Sequence, residues 1–261
     1  MQHDSARKRP LARAMALVRD LRTRCPWDRA QTRATLRPYL VEEVLELDQA
    51  LACDDTARIR DEMGDFLLHL AWQLVLGEER GEFTADDVAD TMERKMHRRH
   101  PHLFDLGPPE PWEQLKRRER LGAGGVLDGL PASLPDLLRA HRLQERAASV
   151  GFDWPDARGP IGKVREELAE VEEALAAHGP GSNGVAHDRV VDEVGDLLFA
   201  VVNLARKAGV APGPALDRAN RKFRDRFTAV ERLAAERGIA LDSAGLEVLD
   251  RMWEEVKREG P

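Results

Sequence analysis

Aromatic residues make up only 5% of the 261 residues, with a single tyrosine. Alternating β-branched runs are scarce, which leaves little material for a sheet. The two cysteines, Cys25 and Cys53, cannot staple a chain of this size, so a reducing compartment fits best. No apolar run reaches the ~18 residues needed to span a bilayer. The basic segment Met1–Pro10 is followed by no apolar signal core. Positive charge is not in excess. Lys and Arg number 40 against 47 Asp and Glu, a net charge of −7, which argues against broad binding to nucleic acid or anionic membrane. These absences predict a cytoplasmic protein with no nucleic-acid and no membrane partner. Several reactive motifs are also missing. There is no GxxxxGK[ST] loop, no HExxH, no Glu-x-x-His, no GxSxG elbow and no zinc-type cysteine spacing.

What remains is 42% apolar and 33% charged, enough for a core and far from the composition of a disordered chain. The apolar positions recur at helical spacing. Leu40, Val41, Val44, Leu45, Leu47 and Leu51 form one stripe, and Met63, Phe66, Leu67, Leu70 and Leu74 another. Gly and Pro mark the breaks, at Gly107–Pro109, Gly122–Gly125 and His178–Gly184. The chain is predicted to be all-α.

Four blocks occur twice in the same order. Glu42–Glu46 matches Glu166–Glu170, and Asp61–Asp65 matches Asp192–Asp196. Lys95 and Arg99 match Lys222 and Arg226, and Trp112–Lys116 matches Trp253–Lys257. The Cys25–Asp28 and Gly151–Trp154 segments precede the two series. An ordered series of four marks a tandem duplication. Residues 1–121 and 130–261 are the expected domains, with 122–129 as a Gly-rich linker. Each half offers about four helices, so each needs a partner to bury its apolar faces, and a second copy of the chain is the expected one.

Glu43 and Glu46 share a helix face by their spacing of three, as do Glu62 and Asp65 on the next helix. Two antiparallel helices can bring these four carboxylates together, where like charges repel by up to ~4 kcal/mol per close pair. Glu167, Glu170, Glu193 and Asp196 repeat the set. Such clusters call for a cation, and oxygen-only donors suit Mg²⁺, or Mn²⁺. An acidic pair on one helix is usually a solvated face, but here both pairs recur and each abuts an apolar run. Gly64 and Gly195 recur inside the second helix of each pair, where glycine costs ~1 kcal/mol against alanine, so a close approach to the backbone is expected there. Lys222 and Arg226 project together and suit phosphate oxygens. Trp253 reads as core or as a base-stacking surface. His97–His102 matches no metal-site spacing and reads as a helix end stopped by Pro101.

The EExxE and ExxD blocks in tandem, with the Cys-Pro-Trp-Asp, His-Pro-His and Trp-Glu-x-x-Lys segments, resemble the MazG family of all-α nucleoside triphosphate pyrophosphohydrolases. The resemblance covers essentially the whole chain. It implies tandem helical bundles of the all-α NTP pyrophosphatase type, a homodimer, and Mg²⁺-dependent hydrolysis of (d)NTPs, ATP among them, to (d)NMP and pyrophosphate. It implies that the C-terminal half carries the main activity, with Glu167, Glu170, Glu193 and Asp196 as metal ligands. Lys163, Glu166, Glu167, Arg189, Asp192, Lys222, Arg226 and Trp253 then meet the nucleotide. Glu166 or Glu167 takes a proton from the attacking water, Glu193 is essential, and Lys222 and Arg226 steady the leaving group. Glu43, Glu46, Glu62 and Asp65 form the N-terminal ligand set. Its basic block is followed by His100-Pro101, unlike the C-terminal one, and the first half is expected to be the weaker. Two other readings remain: a non-enzymatic interaction or nucleotide-sensing module, and an enzyme reserved for damaged or non-standard nucleotides.

Overall fold

The computed structural model describes residues 10–110, 115, 118, 125–177 and 184–259. Every regular element among them is helical, as the apolar spacing predicts. The chain divides into two compact units, Met1–Glu110 and Pro111–Pro261. Residues 122–124 of the expected linker lie outside the described residues, as do the basic segment 1–9, residues 178–183 of the expected Gly-rich loop, and the Trp112 block apart from Leu115.

The first unit comprises α1 (Pro10–Arg24), α2 (Pro26–Ala30), α3 (Arg33–Cys53), α4 (Thr56–Glu79) and α5 (Ala85–Arg99). Local chemistry sets the boundaries. Thr32 and Thr35 form a capping box at the start of α3. Asp54, in the left-handed conformation at φ 53°, ends that helix. The Asp55 carboxylate then accepts from the Ala57 and Arg58 amides and opens α4. Two residues therefore suffice to reverse the chain, and α3 and α4 pack as an antiparallel hairpin. Helix α5 stops at Arg99 and a short 3-10 turn follows at Pro101–Leu103, so His97–His102 is a helix end, as expected.

The core of this unit joins α1 and α3 to the C-terminal half of α4. Met15, Val18, Leu36, Ala71, Trp72, Leu74, Val75 and Leu76 are buried together. Gly77 is required there, because a Cβ would stand 2.3 Å from the Phe83 ring. A Cβ at Gly64 or Gly195 meets nothing within 4 Å among the described residues, so none of these makes the close approach expected there.

The second unit comprises α6 (Asp136–Ala148), α7 (Arg158–Ala177), α8 (Gly184–Lys207), α9 (Pro212–Glu236) and α10 (Leu246–Glu259). Helices α7 and α8 form its long hairpin, and α6 packs on α8 and α9. Gln144 of α6 donates to the Phe199 carbonyl at 2.8 Å. Val230, Ala234 and Met252 close the α9–α10 contact, with Trp253 against them.

Both hairpins leave apolar side chains in water. Val41, Val44, Leu45 and Leu51 of α3 and Met63, Phe66 and Leu70 of α4 are exposed. Leu168 and Leu175 of α7 and Val191, Val194, Leu198 and Phe199 of α8 are exposed likewise. The helical stripes are therefore real, but within one chain they are only partly covered.

An ion triad fastens the α6–α7 connection to the end of α8. Asp153 accepts from Arg206 and, at 3.1 Å, from Lys207, and Lys207 also donates to the Trp154 carbonyl at 2.6 Å. The Arg206 guanidinium, helped by Lys207, holds the Asp153 carboxyl down at about 2 against partial burial. A depressed carboxyl stabilises the fold above its unfolded pKa, and this contribution fades as the pH falls from near 4 towards 2. Asp153→Asn is expected to destabilise the second unit by about 1–2 kcal/mol at pH 7. Thermal melts at pH 7 and pH 2 check this, the two proteins converging in acid.

Candidate functional site

Antiparallel pairing places the carboxylates. Glu43 stands ten residues before the end of α3 and Asp65 nine after the start of α4, so both lie about 14–15 Å from the turn at 1.5 Å per residue. Glu43, Glu62 and Asp65 each offer an oxygen within 4.8 Å of the others. In the second unit Glu167, Glu170 and Glu193 do the same. The structure thus brings together three of each expected four. Glu46 and Asp196 are exposed and lie outside the groups. The omitted positions are not equivalent in the repeat. The first unit gathers one carboxylate from the first hairpin helix and two from the second, and the second unit reverses this. Exposed carboxylates without a counter-ion repel one another, and a side chain free to rotate stays in water.

Burial sharpens the second cluster. Glu167 is 3% exposed, yet its Oε2 is buried without a hydrogen-bond donor. A buried carboxylate oxygen with no partner costs several kcal/mol. The opposite side of the same carboxylate is satisfied, since Lys163 pairs with Glu167 and, at 2.8 Å, with Glu166. These two glutamates hold the Lys163 ammonium above its usual range. Arg189 approaches Glu193 at 3.6 Å and Glu173 at 3.9 Å. The Glu170 carboxyl is raised by burial first, then by Glu167 and Glu193, against the pull of Lys163. Asp192 is exposed on α8. All donors around the unpartnered oxygen are carboxylates, which fits a hard divalent ion.

The first cluster has no such lysine, since Tyr39 stands where the repeat has Lys163. Burial and the acids Asp65, Glu46, Glu62 and Glu42 raise Glu43. The residue that sequence reasoning missed is His69. It is 6% exposed, and its Nε2 stands 4.0 Å from Glu43 Oε1. Burial lowers its pKa, with Asp65 acting in the opposite sense. The signal was available, because Glu62, Asp65 and His69 share one face of α4 at helical spacing.

The basic pair lies on a different helix from the acids. Lys222 and Arg226 are on α9, and neither forms an ion pair with the cluster carboxylates among the described residues. The flanking Arg221 and Arg224 pair with Asp217 and Asp225. The Arg226 guanidinium carbon stands 6.0 Å from the Trp253 ring centroid, and Phe223 stands 5.2 Å from the same ring. Trp253 packs on the α9–α10 core, the first of the two readings the sequence offered, with Phe223 and Arg226 beside it. A cavity of about 370 Å³ in the first unit, lined by Arg19, Arg22, Arg29, Glu78 and Glu79, contains none of these residues. Its Arg19 and Arg22 are already paired to Glu78 and Glu79.

Comparison with known proteins places the chain in a family. The model of the MazG nucleotide pyrophosphohydrolase domain matches residues 31–104, the stretch that holds α3, α4 and the first cluster. A nucleoside triphosphate pyrophosphohydrolase of Escherichia coli is 40% identical over 255 residues, covering 94% of this chain and 95% of that protein. The chain belongs to the MazG family. A MazG protein of Thermotoga maritima, named nucleoside triphosphate pyrophosphohydrolase/pyrophosphatase, is 38% identical over 237 residues, 89% of each chain. A nucleoside triphosphate pyrophosphohydrolase of Mycobacterium tuberculosis is 34% identical over 157 residues, 57% of this chain and 48% of that one. Among the described residues, no helix of this MazG-family chain is long and apolar enough to cross a membrane.

Because Glu43 and Glu170 have raised pKa values, protonation favours the fold, and each contribution weakens as the pH rises through the folded value above 4.5. In metal-stripped protein these two carboxyls lower the melting temperature between pH 5 and pH 7, while His69, with its lowered pKa, raises it. Glu43→Gln is therefore expected to raise the melting temperature more at pH 7 than at pH 5. Mg²⁺ at 100 times its Kd should restore about 2.7 kcal/mol. Calorimetry with and without EDTA tests this, and Glu167→Gln should reduce the gain.

Proposed function

We propose that the chain hydrolyses nucleoside triphosphates to the nucleoside monophosphate and pyrophosphate, with the second unit as the main site. The observation that carries this is the buried, unpartnered Glu167 oxygen inside a three-carboxylate group, in a chain aligned nearly end to end with nucleoside triphosphate pyrophosphohydrolases. Glu167, Glu170, Glu193 and Asp196 would hold the divalent ion, Mg²⁺ or alternatively Mn²⁺, and Glu43, Glu46, Glu62 and Asp65 are the equivalent set in the first unit. When bound, such an ion neutralises phosphate charge and lowers the pKa of a coordinated water.

The chain's own side chains supply the rest. Glu166 and Glu167 stand side by side under one lysine, and one of them accepts the proton of the attacking water. The water oxygen bonds to the α-phosphorus, the bond from that phosphorus to the bridging oxygen breaks, and pyrophosphate leaves with the bond pair. Lys163 turns from its glutamates to the incoming phosphates, and Arg189 and Asp192 line the same nucleotide stretch. Lys222 and Arg226 stabilise charge on the departing pyrophosphate. Trp253, with Phe223 and Arg226 around it, offers a face for the base. The exposed stripes on both hairpins support a homodimer in which a second copy covers them, and the free Cys25 and Cys53 suit a cytoplasmic setting.

Glu193→Gln is expected to lower turnover at least ~100-fold, since even residues that merely support metal ligands cost 10–100-fold, while leaving the helical circular dichroism unchanged. Arg226→Ala should lower kcat/KM by about 10²-fold. Product chromatography with ATP, dNTPs and deaminated or oxidised NTPs separates the readings. Monophosphate plus pyrophosphate supports hydrolysis of this type, and a strong preference for altered bases marks a housecleaning role. Diphosphate plus orthophosphate contradicts the proposal, and no release with any substrate leaves the interaction-module reading.

A further inference from the structure

Trp154 closes the segment that heads the second repeat series, and it is 46% exposed. Its backbone and its ring are both held. The Trp154 carbonyl accepts from Lys207 at 2.6 Å and its amide donates to Asp153 at 2.9 Å, within the ion triad anchored on α8. The ring lies on the first turn of α7. A Cβ at Gly159 would stand 2.5 Å from the ring carbons, so the indole rests on the helix at a point where only glycine fits. Core packing does not account for this. Nearly half of the residue stays in water, and the contact requires glycine in a helix, an unfavourable choice.

The position on α7 gives the contact its meaning. Gly159, Lys163, Glu167 and Glu170 follow one another at steps of four, four and three, which places them on one face of the helix. The indole therefore covers the first turn of the face that carries the acids, with Lys163 between. Eight residues lead from Gly159 to Glu167, about 12 Å along the axis. A nucleotide whose phosphates meet the carboxylates and Lys163 carries its base a comparable distance away, across the ribose. The first unit lacks this arrangement. Aligning Glu43 with Glu167 aligns Thr35 with Gly159 and Tyr39 with Lys163, and the Thr35 side chain is engaged in the capping box of α3.

We propose that Trp154 is the platform on which the nucleotide base stacks in the second unit, a residue that selects for a planar base without choosing among bases. This rests on reading the α7–α8 cluster as the phosphate site. Every base has a π face, so a fixed indole adds affinity for nucleotides over bare polyphosphate and tolerates any base. Trp253 packs on the α9–α10 core, whereas Trp154 stands on the acid-bearing helix.

The test compares ATP with tripolyphosphate, which offers the phosphates and no base, on the full-length protein with Mg²⁺. Trp154→Ala is expected to raise KM for ATP by about 5- to 150-fold. KM carries most of the loss, kcat falls less, and the inhibition constant of tripolyphosphate stays the same. Trp154→Phe, which keeps a ring, should recover most of the affinity. Gly159→Ala keeps the tryptophan but displaces it, and should raise KM in the same direction; it reports even if Trp154→Ala fails to fold. Equal losses for ATP and tripolyphosphate mark a structural role and overturn the proposal. A KM for ATP indifferent to Trp154 overturns it too and leaves the base to Trp253, with the hydrolase reading intact. Wild-type protein that releases no pyrophosphate from any triphosphate overturns that reading instead. Calorimetric binding of ATP and tripolyphosphate to wild type and Trp154→Ala then decides the platform, and the absence of a difference between the two ligands overturns it.

Discussion

Like charge held at close range is the constraint from which the rest of this structure is understood. Each long hairpin brings three carboxylates within a few ångströms, and at neutral pH nothing in elementary electrostatics favours that. Helix geometry enforces it nonetheless. Two-residue reversal at Asp54 and Asp55 fixes the antiparallel pairing, apolar packing of α1 on α4 holds it, and the side chains then have few places to go. The second unit reaches the same outcome with a longer connection and a more deeply buried glutamate. A fold that tolerates this repulsion is poised for a compensating cation, and that is the property a triphosphate-cleaving enzyme exploits.

The two clusters handle the repulsion differently. In the second unit Lys163 and Arg189 provide partial relief from the flanks, one on Glu166 and Glu167 and the other on Glu193. In the first unit the corresponding lysine is absent, the neighbours of Glu43 are acids, and a neutral imidazole closes one side. Divergence after duplication has kept the acids and altered what surrounds them. Equal lists of acids therefore do not imply equal surroundings.

Much of this was legible in the sequence, for physical reasons. Helical spacing is periodic, so Leu40–Leu51 and Met63–Leu74 announce their helices directly. Paired acids at three-residue intervals define a face before any coordinates exist. The repeat supplied independent support for the acids in each half. Tertiary detail was less legible. That Glu46 and Asp196 stand apart from their companions depends on rotamers and solvent, not on spacing. Gly64 and Gly195 have no neighbour against a Cβ among the described residues. The Asp153–Arg206–Lys207 triad joins residues more than fifty positions apart, and no local pattern predicts such a pairing. His69 was visible on the right face of α4, but nothing in the sequence said that this point on the face would be buried against an acid.

The Lys163 contact has one more consequence. Its ammonium occupies the flank of Glu167 while the opposite oxygen remains bare, so the chain itself supplies part of the charge that balances this acid. Under the proposed function, a phosphate chain entering the site would compete with two glutamates for the same lysine. Occupancy by substrate would thereby release the acids at the moment their basicity is wanted.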